Sequence, residues 1–265
     1  MLSEILIPAL AVGATGLAFG ALLGFASIVF KVDKDERIDQ IAEILPGANC
    51  GGCGYAGCSA LAEAIVTKGE PATKCNLMTD EKNKQICSIM GVSAANVVKK
   101  TARVKCAGTC EACKNKYDFT GIDDCYTAMQ LSGGPKSCEY GCMGLGSCAK
   151  VCEFGALSIE NGIAHIDESK CTGCGRCVSQ CPKNLIILQK ESAPIFVACS
   201  STQKGAAVRA VCSAGCIGCK ICEKKCENDA VHINDFLAAI DADKCTGCGL
   251  CAEACPRKII HIVCK

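Results

Sequence analysis

Residues 170–182 read KCTGCGRCVSQCP, and the same pattern returns as KCTGCGLCAEACP at residues 244–256. A constant offset relates the two stretches, taking Cys171 to Cys245, and carrying it backwards aligns further cysteines of the two halves. The aligned pairs are Cys125 with Cys199, Cys138 with Cys212, Cys142 with Cys216, Cys148 with Cys222, and Cys152 with Cys226. The sequence therefore predicts one duplicated unit, at about residues 117–190 and 191–265.

Cysteine is far more abundant than a core of this size requires, because the 265 residues include 28 Cys, no Trp and three His. Disulfides in an oxidising compartment and thiolate ligands in a reducing one are the two explanations. Disulfide partners have spacings set by loop geometry, whereas short C-x2-C-x2-C runs wrap the backbone around one ion or cluster. Because such runs recur three times, the spacing favours metal ligation in a reducing compartment.

Both quoted stretches have the C-x2-C-x2-C-x3-C-P spacing that holds [4Fe–4S] clusters in bacterial ferredoxins. In that arrangement three cysteines of a run bind one cluster, and the fourth reaches across to the other cluster. The second unit supplies the partner run. The crossed pairing predicts two ligand sets, namely Cys216, Cys219, Cys222 and Cys255 (site 2A), and Cys226, Cys245, Cys248 and Cys251 (site 2B).

The first unit departs from this pattern because Leu145 stands where the second unit has Cys219. Cys138 is the predicted replacement, since it lies four residues before Cys142 and a short loop closes at a small entropic cost. Cys125, thirteen residues further back, is the alternative. The predicted sets are Cys138, Cys142, Cys148 and Cys181 (site 1A), and Cys152, Cys171, Cys174 and Cys177 (site 1B).

A separate four-cysteine module precedes the repeat, where residues 46–58 read PGANCGGCGYAGC. Glycines between the ligands allow tight turns and bring backbone N–H groups towards the sulfurs. Zinc also binds four thiolates, and the iron–sulfur spacing of the rest of the chain is the reason for predicting a [4Fe–4S] cluster here. The ligands of this module site, spaced C-x2-C-x4-C-x16-C, are Cys50, Cys53, Cys58 and Cys75.

Eight cysteines lie outside these five sets: Cys87, Cys106, Cys110, Cys113, Cys125, Cys199, Cys212 and Cys264. A sixth cluster could form from Cys106, Cys110, Cys113 and Cys125, whose spacing is C-x3-C-x2-C-x11-C. Against this, the offset matches Cys125 with Cys199 of the second unit, and at that offset the unit has no counterparts of Cys106, Cys110 and Cys113. Buried or spare thiols are the alternative, and Cys87 is predicted to be a buried small hydrophobe.

The N-terminal residues 5–30 contain no charged side chain. As a helix they would extend about 39 Å, enough to cross a hydrocarbon core of about 30 Å. No basic segment precedes the apolar run, which argues against a cleaved signal peptide. Because Lys31, Lys34 and Arg37 follow immediately, the positive-inside rule places the C-terminal side in the cytoplasm. The sequence predicts a single-pass anchor in the cytoplasmic (inner) membrane, with the soluble part on the cytoplasmic side.

Short strands complete each unit. Residues 157–166 alternate in polarity around Asn161-Gly162, which is the signature of a small β-hairpin. The predicted fold class is α+β. Its parts are a transmembrane anchor at 1–31, a small mainly helical four-cysteine module at 32–95, a linker with the first dicluster ferredoxin-like unit at 96–190, and the second such unit at 191–265.

Motifs for other functions are missing from the sequence. A net charge of +1 gives no indication of a nucleic-acid partner. No Gly-x-Gly-x-x-Gly follows a strand and no P-loop occurs, so no nucleotide is expected on this chain. His165, His232 and His261 fall on predicted hairpins or strands, where they are satisfied side chains rather than ligands. We therefore predict no catalytic residue, and hydride transfer would belong to partners.

One membrane helix, the module, the ferredoxin units and the stretch GCMGLGSC at residues 141–148 together resemble the B subunit of Rnf complexes over essentially the whole chain. That family couples electron flow from reduced ferredoxin to NAD⁺ with ion movement across the membrane. The resemblance implies an electron-relay subunit of a translocase, with at least five [4Fe–4S] clusters. It also implies soluble ferredoxin as the electron donor and other membrane subunits as partners. Shorter family members have one ferredoxin unit, so residues 191–265 are an extension.

Two other functions stay open at this stage. One is an electron-transfer subunit of another membrane oxidoreductase, such as a hydrogenase-type complex, and the other is a non-redox structural metal protein. Lys220, Lys224 and Lys225 lie beside the first cysteine run of the second unit, where they could steer an acidic ferredoxin. An ordinary solvated face is the alternative, because Glu223 and Glu227 lie among them.

Overall fold

The computed structural model describes residues 2–29 and 35–263, with the side chains of 12–26 and 35–263. The predictions for Phe30, Lys31, Lys34 and Cys264 lie outside the described residues. The first helix, α1, spans Leu2–Val29. Within the part of the chain that is described in full, no helix is both long and apolar enough to cross a membrane.

The four-cysteine region is a small helical bundle. Its apolar core contains Ile41, Leu61, Ile65 and Ile86, each almost fully buried. Two of the helices begin at a polar cap: the Asp35 carboxylate accepts a hydrogen bond from the N–H of Arg37 in the first, and the Thr79 hydroxyl accepts one from the N–H of Lys82 in the last. The helices are α2 (Glu36–Ile44), α3 (Cys58–Lys68) and α4 (Asp80–Met90).

The first unit is a compact α+β body with two antiparallel strand pairs. Its first strand pairs with its last, which places Val104 opposite Ile186, and the two middle strands form a hairpin. The elements are β1 (Lys100–Val104), α5 (Cys125–Gln130), α6 (Ser147–Lys150), β2 (Leu157–Glu160), β3 (Ile163–Ile166), α7 (Arg176–Gln180) and β4 (Ile186–Lys190).

The second unit repeats this architecture. Its first and last strands pair with Val197 opposite Ile260, and its middle strands form the equivalent hairpin. The elements are β5 (Ile195–Val197), α8 (Gly205–Val211), α9 (Ile221–Lys224), β6 (Val231–Asn234), β7 (Leu237–Ile240), α10 (Leu250–Glu253) and β8 (Ile260–Ile262). The architecture is mixed α+β, as predicted.

The predicted hairpin of the first unit is confirmed. Asn161 and Gly162 both have positive φ, 48° and 73°, as a two-residue type I′ turn requires. The second unit makes the same turn with Asp235 and Phe236, at φ 47° and 62°. A bulky residue in this region of backbone conformation is unusual, so the second turn is the more strained of the two.

The two units pack directly against each other. Arg103 of β1 is almost fully buried, and its guanidinium lies 5.5 Å from the centroid of the Phe196 ring in β5. The Ser200 hydroxyl donates a 2.8 Å hydrogen bond to the carbonyl of Lys105. These contacts bring the loops that follow β1 and β5 face to face.

Candidate metal centres

The module cysteines converge at the N-terminal end of α3. All four of them, Cys50, Cys53, Cys58 and Cys75, line one cavity. The loop is held by Asn49, which has a positive φ of 46° and whose Oδ1 accepts a 2.8 Å hydrogen bond from the N–H of Cys58. Burial, and then the neighbouring thiols, raise the pKa of Cys75. The module thus presents four thiols to one enclosed space.

A fifth cysteine, Cys174 of site 1B, lines the same cavity. The module backbone is pressed against the first unit at this point, since a Cβ on Gly52 would overlap the carbonyl oxygen of Cys174. Only a residue without a side chain permits this approach. The module site and site 1B are therefore immediate neighbours.

Site 2A converges in the way that the crossed pairing predicts. One cavity is lined by its four cysteines, Cys216, Cys219, Cys222 and Cys255. Burial, and then the charges of the other three thiols, raise the pKa of Cys222 to about 11. Cys219 is exposed, so this site lies at the surface of the second unit.

The thiols of sites 1B and 2B also come together. Burial, and then the charges of the other three thiols of site 1B, raise the pKa of Cys177 to about 12. In site 2B, burial and the thiols of Cys245 and Cys248 raise the pKa of Cys251. Cys226 packs against the same apolar core as Cys245 and Cys251. In both cases thiols from two separate runs share one region.

Backbone N–H groups point at several of these sulfurs. Leu185 donates to Cys181 Sγ at 3.4 Å, and the residue four positions after Cys226, Ala230, donates to its Sγ at 3.3 Å. Such N–H donors stabilise thiolate ligands and tune the metal that they hold. Four thiols line the cavity of the module and four line that of site 2A, and each such set of thiols fits a [4Fe–4S] cluster.

Site 1A differs from the prediction in its fourth member. Its cavity is lined by Cys142, Cys148 and Cys181, together with Cys125 rather than Cys138. Cys125 is the first residue of α5, and its N–H donates a 2.7 Å hydrogen bond to the hydroxyl of Ser147. Because Ser147 immediately precedes Cys148, this bond holds the two thiols of Cys125 and Cys148 on one side of the cavity.

The constant offset between the units fails ahead of Cys138. Strand pairing aligns Cys106, not Cys125, with Cys199, because each lies two residues after the end of its unit's first strand. The amide contacts agree. The N–H of Cys142 donates to Cys106 Sγ at 3.4 Å, and the N–H of Cys216 donates to Cys199 Sγ at 3.3 Å. The true counterpart of Cys199 is therefore Cys106.

An insertion explains the shift. The stretch 106–138 of the first unit is more than twice as long as its counterpart, 199–212, in the second. We call the residues between Cys106 and Cys138 the inserted segment, and Cys125 belongs to it. The segment brings a thiol to the cavity where Leu145 occupies the usual ligand position.

A further cavity between the two units was not predicted. It is lined by five thiols, those of Cys106, Cys113, Cys138, Cys199 and Cys212, and we call it the interface cavity. Of the four cysteines considered for a sixth cluster, only Cys106 and Cys113 lie here. Cys110 is exposed on the surface and Cys125 lines site 1A. The sequence signal for this cavity was the repeat itself, once the insertion is taken into account.

Among the described residues, no group of three or more His, Cys, Asp or Glu side chains has the geometry of a site for a single metal ion. His165, His232 and His261 lie on β3, β6 and β8, and none lines the cysteine cavities described above. His261 stacks on Phe196 with 5.3 Å between the ring centroids. Cys87 is buried in α4, where its thiol donates to Asn83, so the prediction of a buried thiol is confirmed.

Comparison with protein families agrees with the cysteine sites. The FeS family, of Fe-S cluster modules, matches residues 45–76. The Fer4 family, a 4Fe-4S binding domain, matches residues 164–187 and 238–261, and a second 4Fe-4S binding domain family, Fer4_4, matches residues 213–229. These ranges contain the module site, both cysteine runs of the second unit and the run at 171–181 of the first unit, but not the stretch from Cys138 to Cys152.

Individual relatives match far more of the chain. The B subunit of the ion-translocating oxidoreductase complex of Methanosarcina acetivorans is 44% identical over 92% of this chain and 93% of its own length. The B subunit of the Na(+)-translocating ferredoxin:NAD(+) oxidoreductase complex of Acetobacterium woodii is 42% identical over 92% of this chain and 74% of its own. The proton-translocating counterpart of Clostridium ljungdahlii is 37% identical over 85% and 80%. The chain belongs to the family of Rnf complex B subunits and is an iron–sulfur electron-transfer subunit of that family.

Proposed function

We propose that this chain accepts electrons from soluble reduced ferredoxin and relays them, one at a time, to the membrane subunits of an ion-translocating ferredoxin:NAD oxidoreductase. The relatives from Acetobacterium woodii and Clostridium ljungdahlii are named as B subunits of ion-translocating ferredoxin:NAD(+) oxidoreductase complexes. The observation that supports a relay most directly is that Cys174 of site 1B also lines the module cavity. Sites this close suit electron transfer between them.

Five sets of thiols would hold the clusters. Each bound [4Fe–4S] cluster would supply a one-electron site whose potential depends on burial and on N–H bonds to sulfur. The chain contributes the thiolates, the surrounding apolar core and the N–H donors. The sets are Cys50, Cys53, Cys58 and Cys75 for the module; Cys152, Cys171, Cys174 and Cys177 for 1B; Cys125, Cys142, Cys148 and Cys181 for 1A; Cys216, Cys219, Cys222 and Cys255 for 2A; and Cys226, Cys245, Cys248 and Cys251 for 2B.

Crossed ligation ties the two sites of each unit together. Cys177 serves site 1B, and Cys181, four residues later, lines site 1A. The short helix α7 connects Cys177 to Cys181, so no other element of the chain separates site 1B from site 1A at this point. The chain thus offers an order of sites that runs from the module through 1B to 1A.

The first helix would anchor this assembly in the cytoplasmic membrane as a single pass. Large apolar side chains of α1 are exposed, with Leu17 78% and Phe25 69% accessible. Exposed apolar surface of this extent normally marks a surface that is covered by lipid or by another protein. The cysteine-rich part would lie on the cytoplasmic side, where thiols stay reduced.

The donor would dock on the second unit. Lys220, Lys224 and Lys225 are exposed and follow the exposed Cys219 of site 2A within six residues. The Glu223 carboxylate among them accepts a 3.1 Å hydrogen bond from the N–H of Ile233, so it is directed towards the protein. An acidic ferredoxin would meet positive charge next to the most accessible cluster site.

Stopped-flow reduction of the anaerobically purified chain by reduced ferredoxin tests the proposed function. We expect a fast, salt-sensitive phase that slows about tenfold at low salt when Lys224 and Lys225 are both changed to Glu. The matched control changes Lys68 and Lys84, exposed on the module, to Glu and should leave the rate unchanged. An unchanged rate in the first variant removes the docking site. No reduction of the wild type by ferredoxin contradicts the proposed function itself.

Deletion of residues 1–30 tests the anchor separately. The shortened chain should be a soluble brown protein that dithionite reduces, and it should no longer co-purify with membrane subunits. If the deletion abolishes all clusters, α1 is required for folding rather than for attachment.

A further inference from the structure

The interface cavity contains equivalent thiols from both units. Cys106 and Cys199 follow the first strand of each unit and accept the same amide hydrogen bond from the unit's first-run cysteine. Cys138 and Cys212 keep the constant offset between the units. The four thiols therefore form two pairs, one pair related by strand register and one by sequence offset, and each unit contributes one member of each pair.

The walls of this cavity are also duplicated. Gly141 and Gly215, related by the same offset, both line the cavity. A Cβ on Gly141 would lie 3.8 Å from Cys138 Sγ, and a Cβ on Gly215 would lie 3.8 Å from Cys212 Sγ. A side chain at Gly215 would in addition overlap Val208. In each unit, therefore, a glycine leaves the space beside the cavity thiol open: Gly141 beside Cys138 and Gly215 beside Cys212.

Cationic side chains hold the backbone at cavity cysteines of both units. Lys183 and Arg257 occupy equivalent positions; Lys183 donates to the carbonyl of Glu139, the residue after Cys138, at 2.8 Å, and Arg257 donates to the carbonyl of Cys212 itself. A third cation, Lys136, is 2% exposed and donates to the carbonyl of Gly108 at 2.6 Å. Buried cations need negative charge nearby, and thiolates in this cavity would provide it.

The fifth thiol has no counterpart. Cys113 belongs to the inserted segment of the first unit; its thiol lines the same cavity as that of Cys212 and donates to the carbonyl of Lys114 at 3.9 Å. No cysteine of the second unit is equivalent to Cys113. The other four thiols form two equivalent pairs, so we leave Cys113 out of the set of ligands.

From these observations we infer a sixth [4Fe–4S] cluster between the two units, bound by Cys106, Cys138, Cys199 and Cys212, with Cys113 as a neighbouring thiol that is not a ligand. Each thiol would lose its proton on binding iron, as in the other sites. The inference rests on the proposed relay and extends it. The amides of Cys142 in site 1A and Cys216 in site 2A both donate to sulfurs of this site, so it joins the two units into one continuous series.

Iron and acid-labile sulfide in the full chain, purified anaerobically, test the inference. Six clusters require about 24 iron atoms per chain, and five require about 20. Cys106→Ala and Cys199→Ala should each lose up to about four iron atoms, or about one with the appearance of a three-iron EPR signal. The matched control is Cys113→Ala, a change in the same cavity, which should keep the full iron content and spectrum.

Two results would overturn the inference. One is a wild-type chain with about 20 iron atoms, which decides the matter even when a variant fails to fold. The other is loss of a cluster in Cys113→Ala together with its retention in Cys106→Ala. Failure of the relay as a whole is distinguishable, because it would appear as missing iron at the other five sites or as no reduction by ferredoxin.

Discussion

The two units bring four thiols to equivalent sites by different means. In the second unit, Cys219 lies within one compact run and supplies the sulfur of site 2A locally. In the first unit Leu145 fills that position, and Cys125 arrives from the inserted segment. A cluster site is therefore defined by where four sulfurs meet in space. A run of cysteines is one way to bring them there, and a separate loop is another.

The two solutions differ in what they depend on. Site 2A takes three thiols from one compact run and only Cys255 from elsewhere in its unit. Site 1A needs the inserted segment to be ordered, which the hydrogen bonds among Asp124, Cys125 and Ser147 accomplish. Ordering a loop has an entropic cost that the local run avoids. Site 1A should therefore be the more vulnerable of the two.

The largest expected effect is that of iron removal, which should distinguish the units from the module. Five cysteines belong to the buried core of the second unit, whereas the buried core of the module contains one cysteine, Cys75, among mainly aliphatic side chains. Cluster binding and folding should be one event in the units. Chain produced with a chelator should lose its near-UV dichroism and be digested over residues 100–263. A protease-resistant fragment of either unit in iron-free chain would contradict this account.

The next effect concerns the fourth ligand of site 1A. Cys125→Ala should cost up to about four iron atoms, or produce a three-iron signal, because Cys125 lines that cavity. Cys110→Ala, an exposed thiol in the same inserted segment, is the matched control and should leave the iron content unchanged. If Cys125 and Cys138 serve different sites, losses in the double alanine variant should add to about eight iron atoms. Equal losses in the single and double variants would place both cysteines at one site.

A substitution can also make the first unit resemble the second. Leu145 lines site 1A at the position equivalent to Cys219. Leu145→Cys in the Cys125→Ala background should therefore restore the full cluster. A persistent three-iron signal in that double variant would show that the backbone at residue 145 does not present its side chain as residue 219 does.

The sequence predicts most of this architecture but not which thiol completes the cavity of site 1A. The crossed sets of the second unit follow from local spacing, and the structure brings the thiols of site 2A together accordingly. Loop length alone favours Cys138 over Cys125 as the fourth thiol. Loop length measures how many residues separate two cysteines but not the direction in which the chain runs. The thiol of Cys138 lies in the interface cavity and not in the cavity of site 1A.

The interface cavity could not be derived from the spacing for a related reason. The insertion lies before Cys138 and leaves every later cysteine in register. The same constant offset, carried back past the insertion, therefore aligns Cys125 with Cys199. Only strand pairing shows that Cys106 is the equivalent residue. The packing of one unit on the other, which brings thiols from distant parts of the chain together, has no signature in the spacing of either unit.

A smaller effect concerns the contact between the module and the first unit. Gly52→Ala should weaken this contact by about 1–3 kcal/mol, since the added Cβ would overlap the carbonyl of Cys174 and the backbone must move. Cleavage of the linker between the module and β1 by protease should accelerate accordingly. Ala56→Ser, an exposed change of similar size in the same loop, is the control. An unchanged cleavage rate in Gly52→Ala would show that the contact contributes little to stability.

The smallest effect should come from Ser147, which the second unit replaces with Ile221. The buried Ser147 hydroxyl accepts from the N–H of Cys125 and donates to the Asp124 carboxylate at 3.0 Å. Ser147→Ala removes both bonds but no ligand, and a lost hydrogen bond at a buried site costs about 1–2 kcal/mol.

The cluster of site 1A should consequently form and yet be lost to a chelator several-fold faster, while site 2A loses its cluster at the wild-type rate. Ser147→Thr keeps a hydroxyl and should recover most of the difference, and Ser179→Ala, an exposed serine of α7, should have no effect. Equal loss rates from sites 1A and 2A in Ser147→Ala would mean that the inserted segment positions Cys125 without this bond. The greater vulnerability of site 1A would then have to come from the length of the inserted segment alone.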